Sequence, residues 1–126
     1  MRPQVLIVDD CAPTRAALAI ALRAAGYATA EAEDGGEALA LLRAAAVPPA
    51  VVLLDLVLPV VSGWQFLVER AKDQALPAVP VLVFSSVPGL DHDVLRRMGA
   101  AEVIGKPATI GELLDALRRH CRPESS

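Results

Sequence analysis

The chain is poor in aromatic residues: one tryptophan, one tyrosine and two phenylalanines among 126 residues. With 54% hydrophobic residues and so few rings, its core must be built mainly from alanine, valine and leucine. Cysteine is also scarce. Cys11 and Cys121 lack the CxxC or Cys/His spacing of a zinc site, and they read as two reduced thiols in a cytoplasmic protein. No apolar stretch reaches the roughly 18 residues of a membrane span, because Asp55 and Pro59 interrupt the longest one. The N-terminal apolar run, Val5 to Val8, is too short for a signal-peptide core and ends in two aspartates. No basic run occurs and the formal net charge is only -3, so neither direct nucleic-acid binding nor attraction to anionic membranes has electrostatic support. Internal repeats, low-complexity tracts and linkers are missing too. These absences leave one cytoplasmic domain over 1–126, with 4–121 as its folded core and 122–126 as a short tail. Such a domain is either a whole protein or a part of a longer one.

The hydrophobic residues fall into short runs that stop at polar groups. Ala50-Val51-Val52-Leu53-Leu54 ends at Asp55, Val5-Leu6-Ile7-Val8 at Asp9-Asp10, Val81-Leu82-Val83-Phe84 at Ser85-Ser86, and Val103-Ile104 at Gly105-Lys106-Pro107. Continuous aliphatic and β-branched runs of this length read as strands buried on both faces, as in a parallel sheet. A carboxylate inside such a strand is costly. At the strand's carboxyl end, where open α/β sheets form their ligand crevice, it is tolerated and often chemical. One polar strand end means little, but four with complementary chemistry place three carboxylates, a hydroxyl and an ammonium on one edge of a sheet.

Helical patterns alternate with these strands. Pro13 suits a first helical turn, and Leu18, Leu22 and Ala25 recur at helical spacing until Gly26. Tyr27 to Ala32 reads as a short strand. Asp34 and Glu37 form a capping pattern that opens a helix with Ala38, Leu41 and Leu42 inward, ending before Pro48-Pro49. A third helix is expected near Gln65 to Gln74, and a shorter one over Asp91 to Met98, closed by Gly99. The last opens at the capping box Thr109-Ile110-Gly111-Glu112, with Ile110, Leu113 and Leu117 as its inward stripe. Five βα units with right-handed crossovers give a doubly wound α/β domain, a five-stranded parallel sheet covered on both faces.

Asp9-Asp10, Asp55, Ser85 and Lys106-Pro107, in that order and each after a buried strand, resemble the receiver domain of two-component response regulators. Pro59 and Gly63, four and eight residues beyond Asp55, fit the same family's loop. Each motif alone is common; all of them at compatible spacing on five βα units are specific, and the resemblance covers essentially the whole chain. It implies a flavodoxin-like, three-layer arrangement with strand order 2-1-3-4-5, and a phosphoacceptor signalling module of a two-component system or phosphorelay. It implies Mg²⁺ as cofactor, with Asp10, Asp55 and the backbone carbonyl of Val57 as ligands and Asp9 acting through a bound water. Asp55 would accept a phosphoryl group from a histidine kinase or a histidine phosphotransfer protein. Lys106 would neutralise charge on the transferring group, and Ser85 would hydrogen-bond the new phosphate and shift an inactive-active equilibrium. Lys106-Pro107 is a candidate cis peptide. A chain of this kind catalyses only its own phosphorylation and dephosphorylation, and passes the signal to a protein target or to a second copy of itself. The physics agrees with the residue types: carboxylates a few ångströms apart repel by roughly 1 to 4 kcal/mol per pair, and a hard divalent cation removes that cost.

Three features depart from the family's pattern. Three residues before Lys106, where relatives usually carry Tyr or Phe, stands Val103, a small residue stiff at χ1, which puts an output by ring rotation in doubt. The helix between Ser85 and Lys106 is slightly short. Two residues beyond Asp55 and Ser85, where relatives often carry polar side chains that orient the hydrolytic water, stand Val57 and Val87. Their apolar walls are expected to lengthen the life of a phosphorylated form. Val57, Val60, Val61, Trp64 and Val87 gather around the crevice, either as ordinary loop packing or as a docking patch. Two other functions stay open: a pseudo-receiver that binds a partner without phosphate, and a Mg²⁺-dependent phosphatase with an aspartate nucleophile. The phosphatase pattern wants an acid two residues after the nucleophile, where this chain has Cys11 after Asp9 and Val57 after Asp55.

Overall fold

Every aliphatic run becomes a strand in the computed structural model, which describes residues 2–123. Of the expected tail 122–126, Arg122 and Pro123 belong to neither helix nor strand, and the remaining three residues lie outside the described residues. The strands β1 (Gln4–Val8), β2 (Ala28–Ala32), β3 (Val51–Leu54), β4 (Val81–Ser85) and β5 (Ala100–Gly105) alternate with the helices α1 (Ala12–Ala24), α2 (Gly35–Ala44), α3 (Gly63–Lys72), α4 (His92–Arg97) and α5 (Ile110–His120). All pairings are parallel, in the order β2-β1-β3-β4-β5. This is the doubly wound arrangement the sequence predicts. Its centre matters most for function, because β1 and β3 are neighbours with Val8 paired to Leu54, so the residues that follow them emerge side by side.

The sheet is buried on both faces by alternating residues of the same strands. Val5, Ile7, Val51, Leu53 and Leu82 meet Ala19 and Leu22 of α1 and Leu113 and Leu117 of α5. On the other face, Leu6, Val8, Val52, Leu54 and Val83 meet α2, α3 and α4 through Leu39, Leu42, Phe66, Leu67 and Leu95. Residues of β1 from Val5 to Val8 are no more than 2% exposed, which is why its sequence shows no alternation. Tyr27 is fully buried, and its hydroxyl donates to the Cys121 carbonyl at 2.7 Å, tying the end of α5 back to the start of β2.

Helix boundaries follow local chemistry. Gly26, at φ +101°, ends α1: its N–H donates to Arg23 and the Tyr27 N–H to Leu22, the paired closure of a Schellman motif. Asp34 accepts from the Glu37 N–H at 2.9 Å, and Thr109 and Glu112 complete a reciprocal capping box. α3 begins at Gly63 rather than near Gln65, because Ser62 caps it by accepting from the Gln65 N–H. α4 is short, at six residues.

Three expectations about packing need correction. Leu39, not Leu41, faces the core from α2; Leu41 is 40% exposed. Ile110 is 47% exposed in the first turn of α5, and Ala116 completes the stripe with Leu113 and Leu117. β5 starts three residues before Val103. Val81 pairs with Ala100 and Leu82 with Glu102, so Ala101 is an extra residue at a bulge. The polar Glu102 and the two alanines hid that strand start.

Candidate functional site

The carboxyl ends of β1 and β3 deliver Asp9, Asp10 and Asp55, and one carboxylate oxygen from each lies within 4.8 Å of the others. Their environments differ: Asp9 is buried, Asp55 partly buried and Asp10 exposed. Asp9 Oδ1 accepts from the Cys11 N–H at 2.8 Å, and Asp55 Oδ1 accepts from the Val57 N–H at 3.2 Å. Burial pushes the Asp55 carboxyl above the usual carboxylate range. The Lys106 ammonium and the Val57 N–H pull against that rise, while the charge of Asp9 adds to it.

Lys106 arrives from the loop after β5. Its Nζ lies 3.5 Å from Asp9 Oδ2 and 3.6 Å from Asp55 Oδ2. It also stands 4.9 Å from the centroid of the Phe84 ring, a cation-π contact that steadies its stem. The Lys106 N–H donates to the Ser85 carbonyl at 2.8 Å, and the Lys106-Pro107 bond is cis. Ser85, 1% exposed, accepts from the Val87 N–H through its Oγ at 3.2 Å. Lys106 therefore pairs with Asp9 and Asp55, Asp10 lies close beside their carboxylates, and Ser85 is hydrogen-bonded to the segment that carries Lys106.

The loop beyond Asp55 is held from two sides. The Gly63 N–H donates to the Leu56 carbonyl at 3.0 Å, and the Gly35 N–H of α2 donates to the Val61 carbonyl at 2.8 Å. A Cβ on Gly63 would sit 2.3 Å from the Asp55 carbonyl oxygen and 2.7 Å from Leu56 Cα, so only glycine permits this approach. Gly63→Ala is expected to cost about 1–3 kcal/mol of stability and to displace Asp55, as urea denaturation and Mg²⁺ titration would show together. Val57 and Val60 are 63% and 89% exposed, whereas Trp64 and Leu58 pack against the core. Val60 holds φ +61°, an unusual conformation for a β-branched residue. Val87 is partly exposed, and Val103 is buried among the core residues facing α2, α3 and α4.

Two participants escaped the sequence reading. Phe84 read as strand core, and nothing in a linear pattern places a lysine over its ring. Arg15 is buried, and its Nη1 donates to the Asp9 carbonyl at 2.6 Å. A signal existed, since Arg15, Ala19 and Leu22 share the inward stripe of α1.

The donor set is all oxygen, from three carboxylates with Asp9 almost removed from water, which suits Mg²⁺ and not a thiolate- or imidazole-seeking metal. The family model of the response regulator receiver domain matches residues 5–118. Protein PilH of Pseudomonas aeruginosa is 32% identical over 115 residues, which cover 90% of this chain and 93% of PilH. The phosphate regulon transcriptional regulatory protein PhoB of the same organism is 33% identical, and there the chain spans about half (49%) of the relative's length. The crystal structure of the Vibrio cholerae chemotaxis protein CheY4 superposes with a TM-score of 0.81 at 28% identity, covering 95% of this chain and 99% of that one. With the fold, the carboxylate cluster and these likenesses in agreement, the chain belongs to the response regulator receiver domain family, the phosphoacceptor signalling modules of two-component systems.

Proposed function

We propose that Asp55 is the phosphoacceptor of this module and that phosphohistidine is its natural donor. The observation that carries this reading is the ammonium of Lys106 held 3.6 Å from Asp55 within a cluster of three carboxylates at the sheet edge. An Asp55 carboxylate oxygen attacks phosphorus, the P–N bond of the donor breaks, and the imidazole leaves with the electron pair and takes up a proton. Asp55 is left as an acyl phosphate. Asp10, Asp55 and the Val57 carbonyl would hold Mg²⁺, with Asp9 joined through a water. When bound, Mg²⁺ supplies charge neutralisation to the crowded carboxylates and to the phosphoryl oxygens. Lys106 supplies the protein's own positive charge at the same place. Ser85 turns its hydroxyl from the Val87 N–H to the phosphate, which couples phosphorylation to the loop between β4 and α4. Val103 offers no ring to follow that movement, so the output is carried by the backbone around Ser85 to Val87.

In this reading the chain acts on no separate substrate. It receives phosphate in the cytoplasm from a histidine kinase or a histidine phosphotransfer protein, and its phosphorylated form engages a protein target or a second copy of itself. Neither nucleic acid nor membrane contact is required, and no helix among the described residues is long and apolar enough to cross a membrane. Incubation with acetyl phosphate and Mg²⁺ followed by intact mass measurement tests the reading. One added phosphoryl group supports it. Turnover of an organic phosphate would indicate a phosphatase instead, and an unchanged mass a pseudo-receiver.

Val57 and Val87 set the lifetime of the acyl phosphate. Neither side chain can hydrogen-bond a water, so the hydrolytic water is poorly placed and decay is expected to take far longer than seconds. Val57→Asn is expected to speed decay about tenfold, a barrier change of about 1.4 kcal/mol. Loss of phosphate followed over time with Mg²⁺ present measures this, and an unaltered half-life would count against the role of Val57.

A further inference from the structure

Asp9, Arg15 and Ser85 are the buried polar residues among those described, and Arg15 is the one that phosphoryl transfer does not use. Burying a guanidinium is costly unless its donors are matched. Here they are divided among three partners: Nη1 donates to the Asp9 carbonyl at 2.6 Å, Nε donates to Glu31 Oε1 at 3.2 Å, and Nη2 lies 3.9 Å from Glu33 Oε1. Arg15 thus joins α1 to the end of β1 and to the exit of β2.

The carbonyl it grips is the informative part. Asp9 C=O and Asp10 N–H share one rigid peptide plane, so holding that oxygen holds the plane that carries the Asp10 Cα, from which the side chain projects. Asp9 has other restraints: its N–H donates to Ala32 at 3.1 Å, and its carboxylate meets Cys11 and Lys106. Asp10 has none; among the described residues its carboxylate makes no hydrogen bond or ion pair, and it is exposed. Its placement depends on the backbone that carries it, and Arg15 holds the peptide leading into it.

We infer that Arg15 is a positioning residue for the divalent-cation site, aiming the Asp10 carboxylate by clasping the Asp9-Asp10 peptide while Glu31 and Glu33 hold the guanidinium. This rests on the reading that Asp10 and Asp55 bind Mg²⁺. Because two carboxylates offset the charge of Arg15, its effect is geometric, and the planar fork matters more than the positive charge. Lysine, a single point charge, replaces it only in part.

Calorimetric titration of the full chain with Mg²⁺ alone tests the inference, with each variant's fold checked by circular dichroism and urea unfolding. Arg15→Met is expected to weaken Mg²⁺ binding by about 10–100-fold, the range for losing a residue that orients a ligand. Arg15→Lys should recover part of that loss, and Glu31→Gln, which replaces the charged acceptor of Nε with a weaker neutral one, should weaken binding severalfold. Phosphorylation by acetyl phosphate should return toward the unmodified rate at saturating Mg²⁺, whereas general structural damage would lower the saturated rate. If Arg15→Met does not fold, Arg15→Lys and Glu31→Gln decide. Folded Arg15→Lys and Glu31→Gln proteins that bind Mg²⁺ within twofold of the unmodified chain would overturn the inference while leaving the proposed function intact. An unmodified chain that binds no Mg²⁺ would overturn both.

Discussion

Asp55→Asn is expected to abolish phosphorylation by acetyl phosphate and, in metal-free buffer, to make the protein more stable by about 1–2 kcal/mol. The first effect follows from chemistry, since the amide that replaces the carboxylate is not an anionic nucleophile. The second follows from crowding. Three carboxylates have oxygens within 4.8 Å of one another, and burial has already pushed the Asp55 carboxyl upward. A carboxyl whose folded-state pKa lies above its unfolded value costs stability whenever it is ionised in the fold. At neutral pH the amide removes that cost. As pH falls through the folded-state pKa of Asp55, the unmodified fold takes up a proton before the unfolded chain does, its stability rises relative to the variant, and the gap closes. Mg²⁺ should act in the same sense as acid, because it binds the native state and stabilises the unmodified chain by mass action, and the variant, which lacks one ligand, gains less. Urea denaturation of both proteins in chelator and in Mg²⁺ measures the effect. A variant no more stable than the unmodified chain in chelator would contradict it.

Lys106→Met is expected to slow phosphorylation by about 10²–10³-fold, the usual loss when one preorganised donor is removed from a developing charge. It should at the same time tighten Mg²⁺ binding. Lys106 and a divalent cation compete to neutralise Asp9 and Asp55, and each repels the other; removing the ammonium leaves the metal as the crevice's main source of positive charge. Methionine keeps an unbranched stem to lie over Phe84, so packing loss is small. Opposite changes in rate and metal affinity separate electrostatics from damage, because a disordered crevice would lose both. Stopped phosphorylation assays and a Mg²⁺ titration on the same preparation suffice, and weaker Mg²⁺ binding in a folded variant would contradict this prediction.

The parts of the fold legible in the sequence are those where burial is total. In β1 from Val5 onward and throughout β3 every residue is buried, so an aliphatic run ending in a carboxylate marks both the strand and the crevice. Asp9, Asp10, Asp55 and Lys106 could be read because each closes such a run. α2 shows the limit: Ala38 and Leu42 fix the centre of its inward stripe, but Leu39 and Leu41 flank it on opposite sides with the same side chain. Only the neighbouring helices decide between them. β5 was half hidden because a bulge at Ala101 interrupts its register and Glu102 breaks its apolar run. The site's supporting contacts were the least legible. Arg15 and Phe84 act across elements, through a backbone carbonyl and a ring face; the place of Arg15 on the inward stripe of α1 signals burial but not its partner, and Phe84 leaves no signal beyond that of a core residue.

The most direct measurement is to trap the phosphorylated chain with borohydride, which reduces an acyl phosphate to an alcohol, and to map the product by peptide mass. Homoserine at position 55 alone, formed with acetyl phosphate and Mg²⁺ and missing when the metal is chelated, is the expected result. Homoserine at position 9 or 10, or none at all despite bound Mg²⁺, would contradict the assignment of Asp55 as the residue on which this module's signalling turns.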